Sequence, residues 1–464
     1  MSQKKYFWLL SMLLVLAMVL AACGGGAADT TEETTTEETT ADVTEAEAEP
    51  VAEEPVEEMA EPVTIEIFYP VAVDAPIAAI LDGYVAEFEA ANPNINVEPV
   101  FSGGYGDVKT AIQTTIEGGG QPPALGLMLA ADLYDLVNSG YIAPLDDYVA
   151  NTEGGDAMIA DFYPAFMANS NFDGQLWGVP FQRSAVLLYY NKDMFADAGL
   201  EAPTSWQELA DAAQALTIQD GDEASQWGMQ WPSGWPYWTF QPLAISSGQN
   251  IVGDSDVEVF FDNPDVIDAV QFYIDLAEVY GAMPAGVQGV WGTAPTDFSS
   301  GQTAMILHSS GSLPGILEQA DFEVGVMAFP NKGGGGYSTV VGGGNLYIMD
   351  GAPDEQKAAA WEFIKFLADA ERTADFSVQT GYIAARQSAF ETDTMQNHIA
   401  EVPQAGEARD VLQYAGSEFT VQNLGEVRSI FHDYLQQAYN GELSAAAAMA
   451  SAQSESDAAL DAFR

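Results

Sequence analysis

The chain of 464 residues contains one cysteine, Cys23, and three histidines. No disulfide can form within it, and a Cys-based metal site is excluded. His308, His398 and His432 stand in unrelated contexts without ligand spacing. Basic residues are scarce too: 13 lysines and arginines face 69 acidic residues, a net charge of −56. Such a chain repels nucleic-acid phosphates, so nucleic acid is excluded as a partner. No GxSxG elbow, HExxH pair or GxGxxG loop is present, and no Gly-rich run leads into Lys-Ser/Thr. Asp254 and Asp256 do not continue into a calcium loop. Internal repeats of the kind surface adhesins carry are missing. These absences point away from an enzyme and imply no cofactor and no metal.

What is present begins at the N-terminus. Lys4 and Lys5 precede an apolar run from Phe7 to Ala22. The run is shorter than the roughly 20 residues a membrane span needs, and it reads as a secretion signal. Small residues at Ala21 and Ala22 precede Cys23, which resembles a bacterial lipoprotein cleavage box. Residues 1–22 are therefore expected to be a signal peptide, with Cys23 lipidated on the outer face of the cytoplasmic membrane. Residues 24–62 carry 14 acidic side chains, no basic ones and almost no large apolar groups. That composition cannot bury a core. The stretch from Cys23 to Pro62 is expected to be a tether spanning up to about 130 Å when extended.

The remaining body has 55 acidic and 11 basic residues, so it is acidic in its own right. Thr64-Ile65-Glu66-Ile67-Phe68 alternates as a strand does. Ile77, Ile80, Leu81, Tyr84 and Phe88 share one helical face, and Asn92-Pro93 ends that helix. Ile95-Asn96-Val97 alternates again, and Ala124 to Leu129 reads as a buried strand followed by a helix near Asp132 to Asn138. Leu187 to Tyr190 is a strand candidate, and Ser205-Trp206-Gln207-Glu208 has the form of a capping box that starts a helix at Trp206. Val266, Val270, Tyr273, Ile274 and Ala277 predict a helical face over 266–280, with Gly281 as its stop. Ala360, Phe363, Ile364 and Leu367 predict another over 353–368. Strands and helices in this alternation define a layered α/β body. Gly118 to Gly120 and Gly333 to Gly336 read as turns. Gly342 to Gly344 sits between apolar strands, where glycine permits unusual backbone angles or a close approach.

Four of the nine tryptophans, Trp227, Trp231, Trp235 and Trp238, fall within fifteen residues. Pro232 and Pro236 forbid one continuous helix through them. The segment is read as irregular, with Trp227 and Trp231 assigned to the core.

Several segments together resemble the family 1 extracellular solute-binding proteins of ABC importers. They are LLYYNKDMFADAGLEAPTSWQEL (187–209), SGQTAMILHSSGSLPGI (300–316), VVGGGNLYIMD, WEFIKFLADAE and QTGYIAARQSAF, in the family's order. The resemblance covers 63–464 and is nearest to glycerol-phosphate-binding and oligosaccharide-binding members. It implies a two-lobe periplasmic-binding-protein fold of the maltose-binding type, with ligand held between lobes joined by crossing strands near 180–185, 302–306 and 342–345. One lobe is expected from 63–183 plus 305–343, the other from 184–304 plus 344–464.

The implied ligand-binding residues are Tyr105, Ser184, Trp235, Trp238, Ser310, Gly343 and Tyr382. Arg183 and Arg386 are weighed as further lining residues and read as ion-pair partners. The sequence departs from the glycerol-phosphate pattern at Ala130, where that type has a glutamate, and at Ala384, where the proline of TGYxP is missing. Its C-terminal arginine contact has no counterpart in register, only Arg428 nearby. These departures favour a neutral carbohydrate over glycerol 3-phosphate or a glycerophosphodiester. A surface glycoside-active enzyme is the other alternative. The resemblance further implies a monomer that hands its ligand to ABC permease subunits in the membrane.

Overall fold

The computed structural model describes residues 62–72, 75–221, 223–232 and 235–464. The apolar run, Cys23 and the acidic stretch up to Glu61 lie outside the described residues, as do Ser233 and Gly234.

Strand β1 (Val63–Tyr69) buries Ile65 and Ile67 and turns Glu66 outward, the alternation its sequence predicts. Helix α1 (Ile77–Ala91) buries Ile77, Ile80, Leu81, Tyr84 and Phe88, and Val85 beside them. It stops at Asn92, whose Nδ2 donates to the Phe88 carbonyl at 2.9 Å. Strand β2 (Ile95–Phe101) lies parallel to β1 with Val97 opposite Ile65. Helix α2 (Tyr105–Glu117) leads to β3 (Leu125–Leu129), which is buried throughout and parallel to β1. This is the β-α-β winding that alternating patterns imply.

Next come β4 (Val179–Asn191), α3 (Trp206–Leu216), α4 (Pro236–Ser247) and α5 (Pro264–Glu278). The cap of α3 differs in detail from a reciprocal box. Ser205 accepts from the Glu208 amide, but the Glu208 carboxylate turns to the amide and hydroxyl of Thr204, at 2.8 and 2.6 Å. On α5 the buried face is Val266, Ala269, Val270, Tyr273 and Leu276, while Ile274 and Ala277 are only half-buried. Then follow β5 (Met305–Ser309), α6 (Leu313–Gln319), β6 (Val324–Met327) and β7 (Tyr337–Ile348). Four helices complete the elements used below: α7 (Asp354–Leu367), α8 (Ala370–Thr380), α9 (Leu424–Tyr439) and α10 (Ala445–Leu460).

The strands join in the order β6-β4-β7-β3-β1-β2, with β5 also on β4. The long strands β4 and β7 make this possible. Residues 179–185 of β4 pair antiparallel with β7, and residues 186–190 pair with β5. The far end of β7 pairs with β3. Two strands thus tie the first α/β unit to the rest.

The division of the C-terminal part differs from the expected boundary at 344. Helix α7 packs on α1, with Phe363 edge-on to Phe88 at 4.9 Å. Gln356 Nε2 donates to the Thr64 carbonyl at 2.9 Å, and Arg372 pairs with Glu87 at 2.7 Å. Only the later helices α9 and α10 share a buried core with α5. The cause is the apolar stripe of α7, which follows β7 directly and finds the open face of the first sheet. Each fully buried Phe, Leu or Ile in these layers contributes roughly 1.5–3 kcal/mol.

Candidate functional site

From Pro236 onward the aromatic stretch is helical rather than irregular. Pro236 takes the first helical position of α4, where a missing N–H costs nothing, and Trp235 stands at its N-cap. Trp238 therefore sits in the first turn of a helix rather than on a loop. Pro242 lies inside the same helix. Trp231 is core: its ring meets Tyr273 edge-on at 5.5 Å and Phe329 at 5.4 Å. Trp227 is half-buried, and its backbone bridges to Thr303.

The triple glycine of β7 shapes what surrounds Trp238. A Cβ on Gly342 would sit 2.5 Å from the Trp238 indole nitrogen, and one on Gly344 would sit 2.7 Å from the Tyr105 ring. Gly343 has a φ of +99°, and a Cβ there would meet the Gln182 carbonyl oxygen at 2.0 Å. Two of the glycines thus admit aromatic rings, and the third permits a left-handed backbone beside β4. The Trp238 indole N–H donates to the Val341 carbonyl at 2.9 Å, which fixes the ring on the strand.

These elements enclose a cavity lined by Tyr105, Ser184, Trp235, Trp238, Gly343 and Tyr382, six of the seven residues the sequence singled out. Ser310 is not among them. Its hydroxyl is wholly buried and accepts from the Ala185 amide at 3.4 Å. The preceding residue, Ser309, the last of β5, lines the cavity instead, and Ser310 begins the turn that follows. Leu129 also lines the wall, and the neighbouring Ala130 is fully buried. Sequence reasoning missed Tyr237, Trp291 and Glu418, all in segments without usable periodicity.

Glu418 is the one charged residue in the lining. Its loop is held by Gln241 of α4, which accepts from the Phe419 amide at 3.0 Å and donates to the Ser417 carbonyl at 3.0 Å. Asn169 Nδ2 donates to Glu418 Oε2 at 2.7 Å, and an Arg183 guanidinium nitrogen lies 3.7 Å from the same oxygen. Oε1 is buried and has no hydrogen-bond partner among the described residues. Burial pushes the carboxyl up to about 7, against the opposing pull of Arg183 and the Asn169 hydrogen bond.

Arg183 does not line the cavity. It is fully buried behind it, donating to Asn345 Oδ1 at 3.1 Å. Asn345 in turn donates to the Asn169 carbonyl at 3.0 Å and to Ser170 Oγ at 3.1 Å. Arg386 is taken up by Asp161 at 2.7 Å. Arg428 lies over the Tyr237 ring, 5.6 Å from its centroid. Opposite, Gln182 Nε2 donates to the Tyr382 hydroxyl at 2.8 Å, and burial pushes that phenol up to about 12. Beside it, burial next to Tyr382 pushes the Tyr105 phenol well up. His308 stacks on Trp291 with centroids 3.9 Å apart, and its nitrogens meet the Trp291 carbonyl and Ser312 Oγ. It is a structural support for Trp291. No cluster of candidate metal ligands occurs among the described residues.

A cavity walled by aromatic rings, with a few inward polar groups, has the lining that small organic molecules favour. Residues 83–403 match the model of a family described as bacterial extracellular solute-binding protein, and this chain belongs to that family. Among curated relatives it is 26% identical over 391 residues to the sn-glycerol-3-phosphate-binding periplasmic protein UgpB of Escherichia coli strain K12, covering 80% of this chain and 87% of that one. Its fold is similar to UgpB from Mycobacterium tuberculosis in complex with glycerophosphocholine (TM-score 0.75, 24% identity, 87% and 99% covered). It is also similar to the GacH receptor of Streptomyces glaucescens, solved unliganded and with acarbose (TM-score 0.74, 21% identity, 87% and 100% covered). Maltose-bound MalE3 of T. maritima matches with a TM-score of 0.73 at 21% identity, with 86% and 100% covered. The fold is the two-lobe α/β fold of periplasmic solute-binding proteins, and the protein is an extracellular binding protein of the transport class rather than an enzyme.

Proposed function

We propose that this protein captures a neutral carbohydrate, an oligosaccharide or sugar derivative, in the aromatic cavity and delivers it to an ABC permease. The observation that carries this reading is the lining itself. Trp235, Trp238, Trp291, Tyr237, Tyr105 and Tyr382 surround Ser184, Ser309 and Glu418, with no lysine or arginine among them. Sugars present an apolar C–H face, which flat rings cover, and hydroxyls, which a carboxylate and hydroxyl groups bind. The free Oε1 of Glu418 accepts a sugar hydroxyl.

A glycerophosphodiester is the second reading, favoured by the similarity to UgpB. The buried acid of Glu418 argues against it, because a phosphate close by would meet like charge whenever that group is ionised.

The cavity has a volume of about 40 Å³, room for about one or two waters rather than a sugar. Ligand entry therefore requires the walls to part. The lobes swing on β4 and β7, closing Trp235 and Trp238 against Tyr105 and Tyr382 by hinge rotation. Cys23 carries a lipid anchor, and the acidic tether lets the monomeric body reach the permease.

The test is tryptophan emission and melting temperature across mono-, di- and trisaccharides, polyols, sn-glycerol 3-phosphate and glycerophosphocholine. A saturable response to a neutral sugar supports the reading. A response only to the phosphate compounds replaces it with the second.

A further inference from the structure

A second cavity of about 320 Å³ opens beside the first, and the two share Trp291 and Ala72 as a wall. Its volume falls at the lower end of small-molecule sites. Val71, Pro295 and the Trp291 ring give it an apolar side. Thr296, Ser312 and Gln319 give it a polar rim, with no acid, lysine or arginine in the lining. The only titratable group is His308, and burial holds that imidazole low, so it is neutral at pH 7.

Trp291 is built to stand between the two spaces. His308 covers one face of the indole at 3.9 Å, while Trp238 meets it edge-on at 6.2 Å from the first cavity. His308 is itself pinned by Ser312 Oγ at 2.7 Å, at the start of α6. The divider is thus an aromatic side chain on a fixed support rather than a continuous run of backbone.

We propose that the second cavity is a further saccharide subsite, so that the ligand is an oligosaccharide whose chain continues past Trp291. This rests on the carbohydrate reading of the first cavity. A neutral, hydroxylated occupant fits a compartment with one aromatic wall, an apolar floor and uncharged hydrogen-bonding groups at its rim. An ionic occupant would find no counter-charge there.

The experiment uses Gly315→Trp. Gly315 lines the second cavity and not the first, and has nothing within 4 Å of an added Cβ. The new indole fills the compartment without touching the first one. Binding of glucose, maltose, maltotriose and maltotetraose, and of the matching cello-series, is measured by titration calorimetry on wild type and variant. Far-UV circular dichroism and melting temperature establish that the variant is folded. The double variant Thr296→Ala/Gln319→Ala removes two rim groups and serves if Gly315→Trp does not fold.

In wild type, affinity is expected to rise with chain length beyond the first one or two sugars. In Gly315→Trp the longer sugars are expected to weaken about tenfold, while the shortest that binds stays within about twofold. Chain-length-independent binding in wild type, or equal losses for short and long sugars, overturns the second subsite and leaves the first intact. Binding of no saccharide by wild type overturns the carbohydrate reading and this inference with it.

Discussion

Trp231 and Trp238 stand seven residues apart in one aromatic stretch, yet they do different work. Trp231 is closed in by Tyr273 and Phe329 and does not line the aromatic cavity. Trp238 is almost as buried, at 5% exposure, but its ring forms the wall of the site and rests on Gly342. Burial alone does not separate a core ring from a cavity-lining ring. What separates them is the neighbour: side chains from the surrounding helix and strand in one case, a glycine-bared strand and a cavity in the other. The helix start at Pro236 produces this split, because it swings the chain from the core onto β7.

The largest effect that would break the comparison is on stability. Trp231→Ala removes a fully packed ring and is expected to cost about 3–5 kcal/mol, read from the shift in urea midpoint at unchanged m-value. If the loss is under about 1 kcal/mol, Trp231 is not the packed partner described here.

Gly342→Ala sharpens the other half. Its Cβ would collide with the Trp238 indole, so the ring or the strand must shift. The expected cost is about 1–3 kcal/mol of stability, together with sugar binding weakened about tenfold. Normal binding in a folded Gly342→Ala protein would show that the Trp238 position is not needed for the site.

The smallest effect is a pH dependence. Burial holds His308 down to about 4 and His432 down to about 3, with the Arg428 charge adding to the second. Their folded values lie below the unfolded one of 6.5, so unfolding takes up protons as the pH falls. Their contribution is present above about pH 6.5 and is lost towards pH 4. Glu418 works the other way. Its folded value of about 7 lies above the ordinary 4.5, so its contribution is present below pH 4.5 and fades as the pH rises to 7. His398 is lowered by burial as well, and Glu407 is raised by it; with three histidines against two acids, melting temperature is expected to fall from pH 6.5 to 4.5. His308→Gln should flatten that slope, and an unchanged slope would mean His308 is not held neutral.

Much of the fold was legible because its elements carry clean periods. The α1 face and the β1 alternation are examples, since each element buries one side only. The lobe boundary was harder to read, because the stripe of α7 says that the helix packs but not on which sheet. In the candidate site, Gly343, Tyr382, Trp235 and Trp238 were singled out through motif resemblance; density of rings alone did not separate the last two from Trp227 and Trp231. Of the two adjacent serines, Ser309 lines the cavity and Ser310 is fully buried, a difference set by where the strand ends. Glu418 looked like one acid among 55 in the body. Only the fold reveals that Gln241 and Asn169 hold it inside.

The role of the aromatic lining is tested by calorimetric titration of wild type and Trp235→Ala with the neutral saccharide that most stabilises the wild type. Trp235 is only half-buried, so the variant keeps its fold. Binding to wild type is expected to be saturable, and binding to the variant about tenfold weaker at unchanged melting temperature. Equal affinities, or wild-type binding confined to sn-glycerol 3-phosphate and its diesters, would contradict that role.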